Sequence, residues 1–180
     1  MEFLLNEDQQ MIHDLAKDFA QTVLAPRIEE IEAGELVEVS TGEKYPQLPH
    51  DIHMQLAECG FIGISFPEEY NGMGMGHVEQ TIILKELSRV SPSVGKCLDV
   101  YILGLEALDL YASPEQKAKY LPMLTTGHKV GAFALTEPNA GSDASKGQTE
   151  AILDGDHYVM NGSKIFITNG YVADVFVVFA

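Results

Sequence analysis

The chain has 180 residues, 46% of them hydrophobic and 21% charged, and a formal charge of −16 at pH 7. That length holds one ordinary domain, or a small domain with part of a second, and the composition is that of a soluble globular protein. The negative charge argues against nucleic acid, whose phosphates would be repelled, and no apolar run reaches the roughly 18–20 residues of a membrane span. The opening Met1-Glu2-Phe3-Leu4-Leu5-Asn6-Glu7 has no basic stretch and no cleavage site, so no signal peptide is expected. Two cysteines, Cys59 and Cys97, make no disulfide framework and read as reduced thiols in the cytoplasm.

Asn6 reads as an N-cap, and Leu15, Phe19, Val23 and Leu24 lay one apolar face along a helix from Glu7 to Ala25, which Pro26 interrupts. Arg27 to Ala33 continues as a second short helix. Gly34, Gly42, Pro46 and Pro49 predict an irregular stretch, in which Leu36-Val37-Glu38-Val39 and a Ser40-Thr41-Gly42 turn can form a small hairpin. A helix over Asp51 to Cys59, closed by Gly60, precedes the apolar run Phe61 to Phe66 and a glycine-rich loop ending at Gly76. Two helices follow, His77 to Val90 and Val94 to Tyr111, the second with Leu98, Tyr101, Ile102, Leu105 and Leu108 at helical spacing. Ser113 as N-cap and Pro114 at the first helical position start another, ending near Leu124 to Gly127.

After Gly127 the period changes. Val130–Leu135, Gln148–Leu153, Tyr158–Met160, Lys164–Thr168 and Val175–Phe179 read as short strands, with Asp154-Gly155, Asn161-Gly162 and Asn169-Gly170 as hairpin turns. Helices first and strands second predict an α+β fold: an all-α helical domain over residues 1–127, then an incomplete antiparallel β-barrel-like domain over 128–180. The last apolar strand runs to Ala180 without a turn or cap, leaving an open edge, so the chain reads as a fragment of a longer protein.

The segment Phe133-Ala134-Leu135-Thr136-Glu137-Pro138-Asn139-Ala140-Gly141-Ser142-Asp143 carries the most information about function. It is a strand running into a tight turn with free backbone N–H groups at the bend. Such a turn suits a flat heteroaromatic ligand bearing phosphate, because its glycine lets the backbone approach closely. Together with Asn161-Gly162-x-Lys164-x-x-Ile167-Thr168-Asn169-Gly170, it resembles the flavin-binding part of the acyl-CoA dehydrogenase family. The resemblance extends to Gly60-Phe61-Ile62-Gly63, to Pro67 through Gly72, and to Gln116-Lys117-x-x-Tyr120-Leu121-Pro122, and so spans nearly the whole chain.

The resemblance implies FAD as cofactor. Phe133, Leu135 and Thr136 would line the pyrimidine edge of its ring system, and Gly141 and Ser142 would lie at the pyrophosphate, with Ser142 also near the acyl-CoA. Phe166, Ile167 and Thr168 would cover one ring face, the Thr168 hydroxyl close to N5. It further implies removal of the α-proton of an acyl thioester by a carboxylate and transfer of the β-hydrogen as hydride. The product would be a trans-2-enoyl-CoA, the electrons would pass to an electron-transfer flavoprotein, and the assembly would be a homotetramer. The family's base lies in a carboxyl-terminal helical domain, which places it beyond Ala180. No catalytic residue is therefore expected in this chain, and the isolated chain is expected to bind FAD weakly or not at all and to lack turnover. Alternatives on the same fold are an acyl-CoA oxidase, a flavin monooxygenase-like relative or an enoyl-CoA reductase. A non-catalytic helical module that has lost flavin is a further alternative, against which stand the hydroxyls of Thr136, Ser142 and Thr168.

Other features have plainer readings. Gly72-Met73-Gly74-Met75-Gly76 lacks the spacing and the βαβ context of a dinucleotide loop and reads as a surface loop. His50 and His53 find no third ligand at metal-site spacing, so no metal is expected. Glu137 and Asp143 are expected to brace the turn by hydrogen bonds. Lys146 and Lys164 are the cations available to offset the negative field near a CoA ester. The Gly34–Tyr45 stretch is longer than the family's usual link, and Phe166 stands where many relatives carry Trp, which keeps an aromatic cover and loses a donor.

Overall fold

The computed structural model describes residues 4–180; the part of the amino-terminal reading that rests on Met1 to Phe3 lies outside the described residues. Helix α1 (Glu7–Phe19) starts as expected at Asn6, whose side chain accepts from the Gln9 N–H at 2.8 Å while the Gln9 side chain accepts from the Asn6 N–H at 3.2 Å. The helix expected to reach Ala25 changes hydrogen-bond pattern after Phe19, into a π-helical turn over Ala20–Leu24 and a 3₁₀ turn over Ala25–Arg27. Pro26 accounts for this, because it has no N–H to donate and its ring crowds the carbonyl four residues back. Helix α2 (Ile28–Ala33) ends at Gly34, whose φ of +75° is left-handed.

The Gly34–Pro49 stretch is an ordered hairpin, with β1 (Glu35–Glu38) antiparallel to β2 (Lys44–Gln47) and Gly42 at φ +81° in the connection. Helix α3 (His50–Glu58) leads into Phe61–Phe66, which forms successive turns and buries Phe61, Ile62, Ile64 and Phe66. Helices α4 (His77–Ser88), α5 (Pro92–Tyr111) and α6 (Pro114–Thr125) complete the helical part. The α6 start at Ser113 and Pro114 is as the sequence predicts, with a capping box to Gln116.

Helix α5 is the axis of the molecule. It begins two residues earlier than the periodicity suggests, because Ser91 caps it by accepting from Val94 N–H at 3.1 Å and Pro92 holds its first position. The Ser91 hydroxyl donates to Glu32 at 2.6 Å, tying α2 to this end. Along α5, Val94, Leu98, Tyr101, Ile102 and Leu105 enter one core with Ile12, Phe19, Leu56, Phe61 and Leu121. The Tyr101 hydroxyl lies 2.9 Å from the Leu124 carbonyl and 2.7 Å from that of Lys129, which fixes the passage from helices to strands. Gly104 faces Ala132 and Phe133, so α5 also seats the first strand beyond the helices.

The fold is α+β, and its β part is open. Strand β3 (Gly131–Ala134) pairs with β6 (Val175–Val178), and β4 (Glu150–Asp154) pairs with β5 (His157–Asn161). The second pair is the expected antiparallel hairpin, with Gly155 at φ +67° in its turn. The first pair is parallel, because the chain leaves β3, makes the β4–β5 excursion and a loop, and returns in the same direction. After β6 the chain runs out through Phe179, whose N–H bonds the Ala134 carbonyl at 3.1 Å, to an exposed Ala180. Lys164–Thr168, expected as a strand, is loop instead. Asn161-Gly162 and Asn169-Gly170 close no hairpins, and Phe166 and Asn169 sit at φ +58° and +62°, which breaks the extended path.

Replacing Ser91 with Ala removes a buried N-cap and leaves Glu32 one donor short. Urea unfolding of the protein is expected to show a loss of about 1–2 kcal/mol. An unchanged midpoint would contradict the role given to this cap.

Candidate functional site

The two motif segments lie side by side. The Thr136 carbonyl accepts from the Ile165 N–H at 2.9 Å, and the Lys164 ammonium donates to the Leu135 carbonyl at 3.0 Å and to Glu137 Oε1 at 2.7 Å. Glu137 is 5% exposed and accepts also from the Gln148 N–H at 2.6 Å and the Thr149 N–H at 3.0 Å. The Lys164 ammonium first, and the Thr149 and Gln148 donors after it, pull the Glu137 carboxyl down to about 2. Glu137 and Ala140 exchange backbone hydrogen bonds at 3.0 and 3.1 Å, which closes the tight turn. Glu137 therefore braces the bend as expected.

Asp143 accepts from the Ser145 hydroxyl at 2.6 Å and pairs with Lys146 at 3.0 Å; the Ser145 bond, then Lys146, hold its carboxyl below the ordinary range. Lys146 and Lys164, expected to offset the negative field near a CoA ester, are thus each matched to a carboxylate.

A cavity of about 1000 Å³ opens beside the paired segments. Phe166, Ile167 and Thr168 line it, together with Ala134, Phe176 from β6 and Lys96 from α5. Phe166 is 88% exposed, an aromatic face displayed from a left-handed backbone at a cost of about 1 kcal/mol. The other five expected site residues stand off this cavity wall. Phe133 is half-buried and packs edge-on to Phe179 with ring centroids 5.0 Å apart, Leu135 and Thr136 are half-buried in the paired segment, and Gly141 and Ser142 are exposed on the turn. Ala180, the residue beyond which the family's base is expected, is exposed and stands off the wall as well. No aspartate or glutamate is among the described residues that line this cavity. Lys96, Met160 and Tyr171 line the cavity without having been foreseen. Periodicity places Lys96 off the buried stripe of α5, but nothing in the sequence says which loop passes it.

Gly141 has no left-handed φ, and a Cβ built on it would meet nothing within 4 Å. Neither backbone conformation nor packing within the chain calls for glycine there, so the bare backbone is free for something outside the chain. An open cavity faced by an exposed ring and a hydroxyl, next to a turn with an unshielded backbone, fits a planar heterocycle carrying a diphosphate.

A second cavity, of about 260 Å³, lies under the Thr168–Val172 turn, walled by His53, Cys97, Leu98, Tyr101, Asn169 and Val172. Burial lowers the His53 pKa, and its ring stands 6.5 Å from that of His50. Among the described residues no group of three or more His, Cys, Asp or Glu side chains could hold a metal ion.

The sequence matches two family models, the acyl-CoA dehydrogenase N-terminal domain over residues 6–128 and the acyl-CoA dehydrogenase middle domain over residues 132–180. The chain belongs to the acyl-CoA dehydrogenase family. It is 40% identical over 181 residues to a short-chain specific acyl-CoA dehydrogenase of Clostridium acetobutylicum, covering 100% of this chain and 45% of that protein. It is also 40% identical over 182 residues to an NADH-dependent acryloyl-CoA reductase of Anaerotignum propionicum, covering 43% of it. Among solved structures, a chain from work on the electron-transferring flavoprotein of Acidaminococcus fermentans superposes with a TM-score of 0.85 at 44% identity, over 100% of this chain and 45% of that one. A glutaryl-CoA dehydrogenase of Mycobacterium smegmatis in complex with FADH2 superposes with a TM-score of 0.86 at 29% identity, over 98% and 43%. The chain spans a little under half the length of these relatives.

The lowered carboxyl pKa of Glu137 sets a pH dependence. Its stabilising effect is complete above the unfolded value of 4.5 and is lost as pH falls from there through about 2. Urea midpoints measured between pH 7 and pH 2 are expected to drop across that window in the wild type, and to drop less in Glu137→Gln, which is weaker at neutral pH. Parallel curves for the two proteins would contradict the ion pair.

Proposed function

We propose that the protein carrying this chain is an FAD-dependent acyl-CoA dehydrogenase that introduces a trans-2 double bond into an acyl-CoA thioester and passes the electrons to an electron-transfer flavoprotein. The observation that carries this reading is the tie between Leu135–Glu137 and Lys164–Ile165 beside a cavity faced by Phe166, Ile167 and Thr168. In this reading Phe133, Leu135 and Thr136 hold the ring edge, Gly141 and Ser142 the pyrophosphate, and Phe166, Ile167 and Thr168 one ring face, with Ser142 also at the substrate. FAD, when bound, supplies the acceptor for the β-hydrogen. Phe166 excludes water from that face, and Thr168 offers a hydroxyl at the cavity wall.

Glu137 is a strut rather than the base, since a carboxylate held near 2 by three donors has little affinity for a proton at neutral pH. The family resemblance assigns the base to a carboxylate beyond Ala180, and the 180 residues alone are proposed to bind FAD weakly or not at all and not to turn over. The division into a helical domain over 1–127 and a flavin-contacting β-segment over 128–180 follows the break between α6 and β3. A homotetramer in the cytoplasm belongs to the same reading.

The likeness to an acryloyl-CoA reductase favours a second reading, in which the same site runs the step backwards and reduces a 2-enoyl-CoA. Anaerobic mixing separates the two. Bleaching of the oxidised flavin by a saturated acyl-CoA supports the dehydrogenase, while reoxidation of reduced flavin by an enoyl-CoA with no forward bleaching supports the reductase.

The full-length protein is expected to bind FAD stoichiometrically. Gly141→Val is expected to weaken FAD binding at least tenfold while leaving the melting temperature of the apoprotein unchanged, because the added atoms meet nothing in this chain. Equal FAD affinity in the two proteins would remove Gly141 from the site.

A further inference from the structure

The β1–β2 hairpin has no part in the proposed chemistry, yet it touches the loop that lines the large cavity. Tyr45 on β2 stacks on Tyr171, with ring centroids 3.7 Å apart and planes inclined by 10°. Tyr171 itself lines the large cavity alongside Phe166, Ile167 and Thr168, whereas Tyr45 does not.

The loop from Phe166 to Ala173 is held firmly at its two ends. At the first, the Ile165 N–H bonds the Thr136 carbonyl. At the second, the Asp174 carboxylate accepts from Val130 N–H at 2.9 Å and from Lys129 at 2.8 Å, and the Asp174 N–H bonds the Val130 carbonyl at 2.8 Å. Between these anchors the loop carries two left-handed residues, Phe166 and Asn169, and spans the 260 Å³ cavity instead of resting on packed core. A smaller cavity of about 220 Å³ separates β2 from the same loop. The middle of the span has two tethers. One is a 3.3 Å hydrogen bond from the Asn169 side chain to the Gly131 carbonyl, and the other is the Tyr45–Tyr171 stack.

A loop over a void has few neighbours to hold a strained backbone in place, so an aromatic pair at its centre determines where its residues stand. The partner ring is itself fixed. Tyr45 pairs with Val37 in the hairpin register, and its hydroxyl donates to Glu43 at 2.8 Å.

We propose that Tyr45 is a positioning residue for the flavin site: the hairpin acts as a brace that sets the Phe166–Thr168 wall through the Tyr45–Tyr171 stack. This rests on the flavin reading above. Tyr45 acts without touching the cofactor, and the hairpin is what brings its ring to the loop.

The test uses the full-length protein with FAD, in five forms: wild type, Tyr45→Phe, Tyr45→Ala, Tyr171→Ala and the double variant Tyr45→Ala/Tyr171→Ala, which closes the cycle. Titration with FAD followed by visible absorbance gives the dissociation constant and the shape of the bound flavin's band. Tyr45→Ala is expected to raise the dissociation constant roughly two- to tenfold, the range an aromatic pair spans, and to shift the band. Tyr45→Phe keeps the ring and is expected to match wild type in both. The double variant is expected to bind no more weakly than Tyr171→Ala alone. Should Tyr45→Ala fail to fold, Tyr45→Leu takes its place, keeping apolar bulk without a ring. Wild-type affinity and spectrum in the ringless variant would overturn the brace and leave the flavin reading standing. So would additive losses in the double variant, or a Tyr45→Phe as weak as the alanine. A wild type that binds no flavin would overturn both.

Discussion

The buried ion pair between Glu137 and Lys164 is the interaction on which the β-segment depends. Its two residues lie far apart in sequence and belong to different stretches of loop, so no secondary-structure ladder joins them. The Lys164 side chain is 13% exposed and that of Glu137 4%, which makes the cost of removing both from water considerable. What offsets it is saturation. The carboxylate takes the ammonium and two backbone N–H groups, and the ammonium adds the Leu135 carbonyl. Removal of either partner would leave the other charge buried and alone, so the two segments stay together or separate as a unit. The same saturation keeps Glu137 ionised, which suits a strut and disqualifies it as a base.

That strut would be useless without a fixed platform. Helix α5 supplies it, through the Ser91 cap against Glu32, the Tyr101 hydroxyl at the helix-to-strand crossing, and the close seat of Gly104 on Ala132 and Phe133. Strand β3 is thereby set against the helical core, and the turn at Glu137 is the first part of the chain to leave it. The outward arrangement follows in sequence: core, strand, turn, paired loop, cavity wall. The wall is the least supported layer, with exposed Phe166 and two left-handed residues over a void.

Local chemistry was legible in the sequence and long-range pairing was not. Asn6 and Ser113 cap their helices as read, since a cap is decided within four residues. The hairpin between Gly34 and Pro49 followed from its breakers. Ser91-Pro92 carried an equally good start signal that the apolar period of α5 overshadowed. The π-helical turn after Phe19 needed the consequence of Pro26 to be followed back one turn. The return of β6 parallel to β3 has no local signature, because pairing direction is set by the path of forty intervening residues. At the site, the two segments stood out by their motifs, and the structure sets them side by side. The split between residues on the cavity wall and residues on the turn was not, nor was the loss of Lys146 and Lys164 to carboxylate partners. Phe166 misled the strand assignment because a β-favouring residue type sits there in a left-handed conformation.

Amide hydrogen exchange in the wild type and in Lys164→Met tests most directly whether one buried pair holds the two segments together. The account predicts that the amides of Gln148, Thr149 and Ile165 all exchange faster in the variant, by similar factors, while those of Leu98 and Ile102 in α5 keep their wild-type rates. Unchanged protection at Ile165 with Lys164 gone would show that the segments are joined by something else.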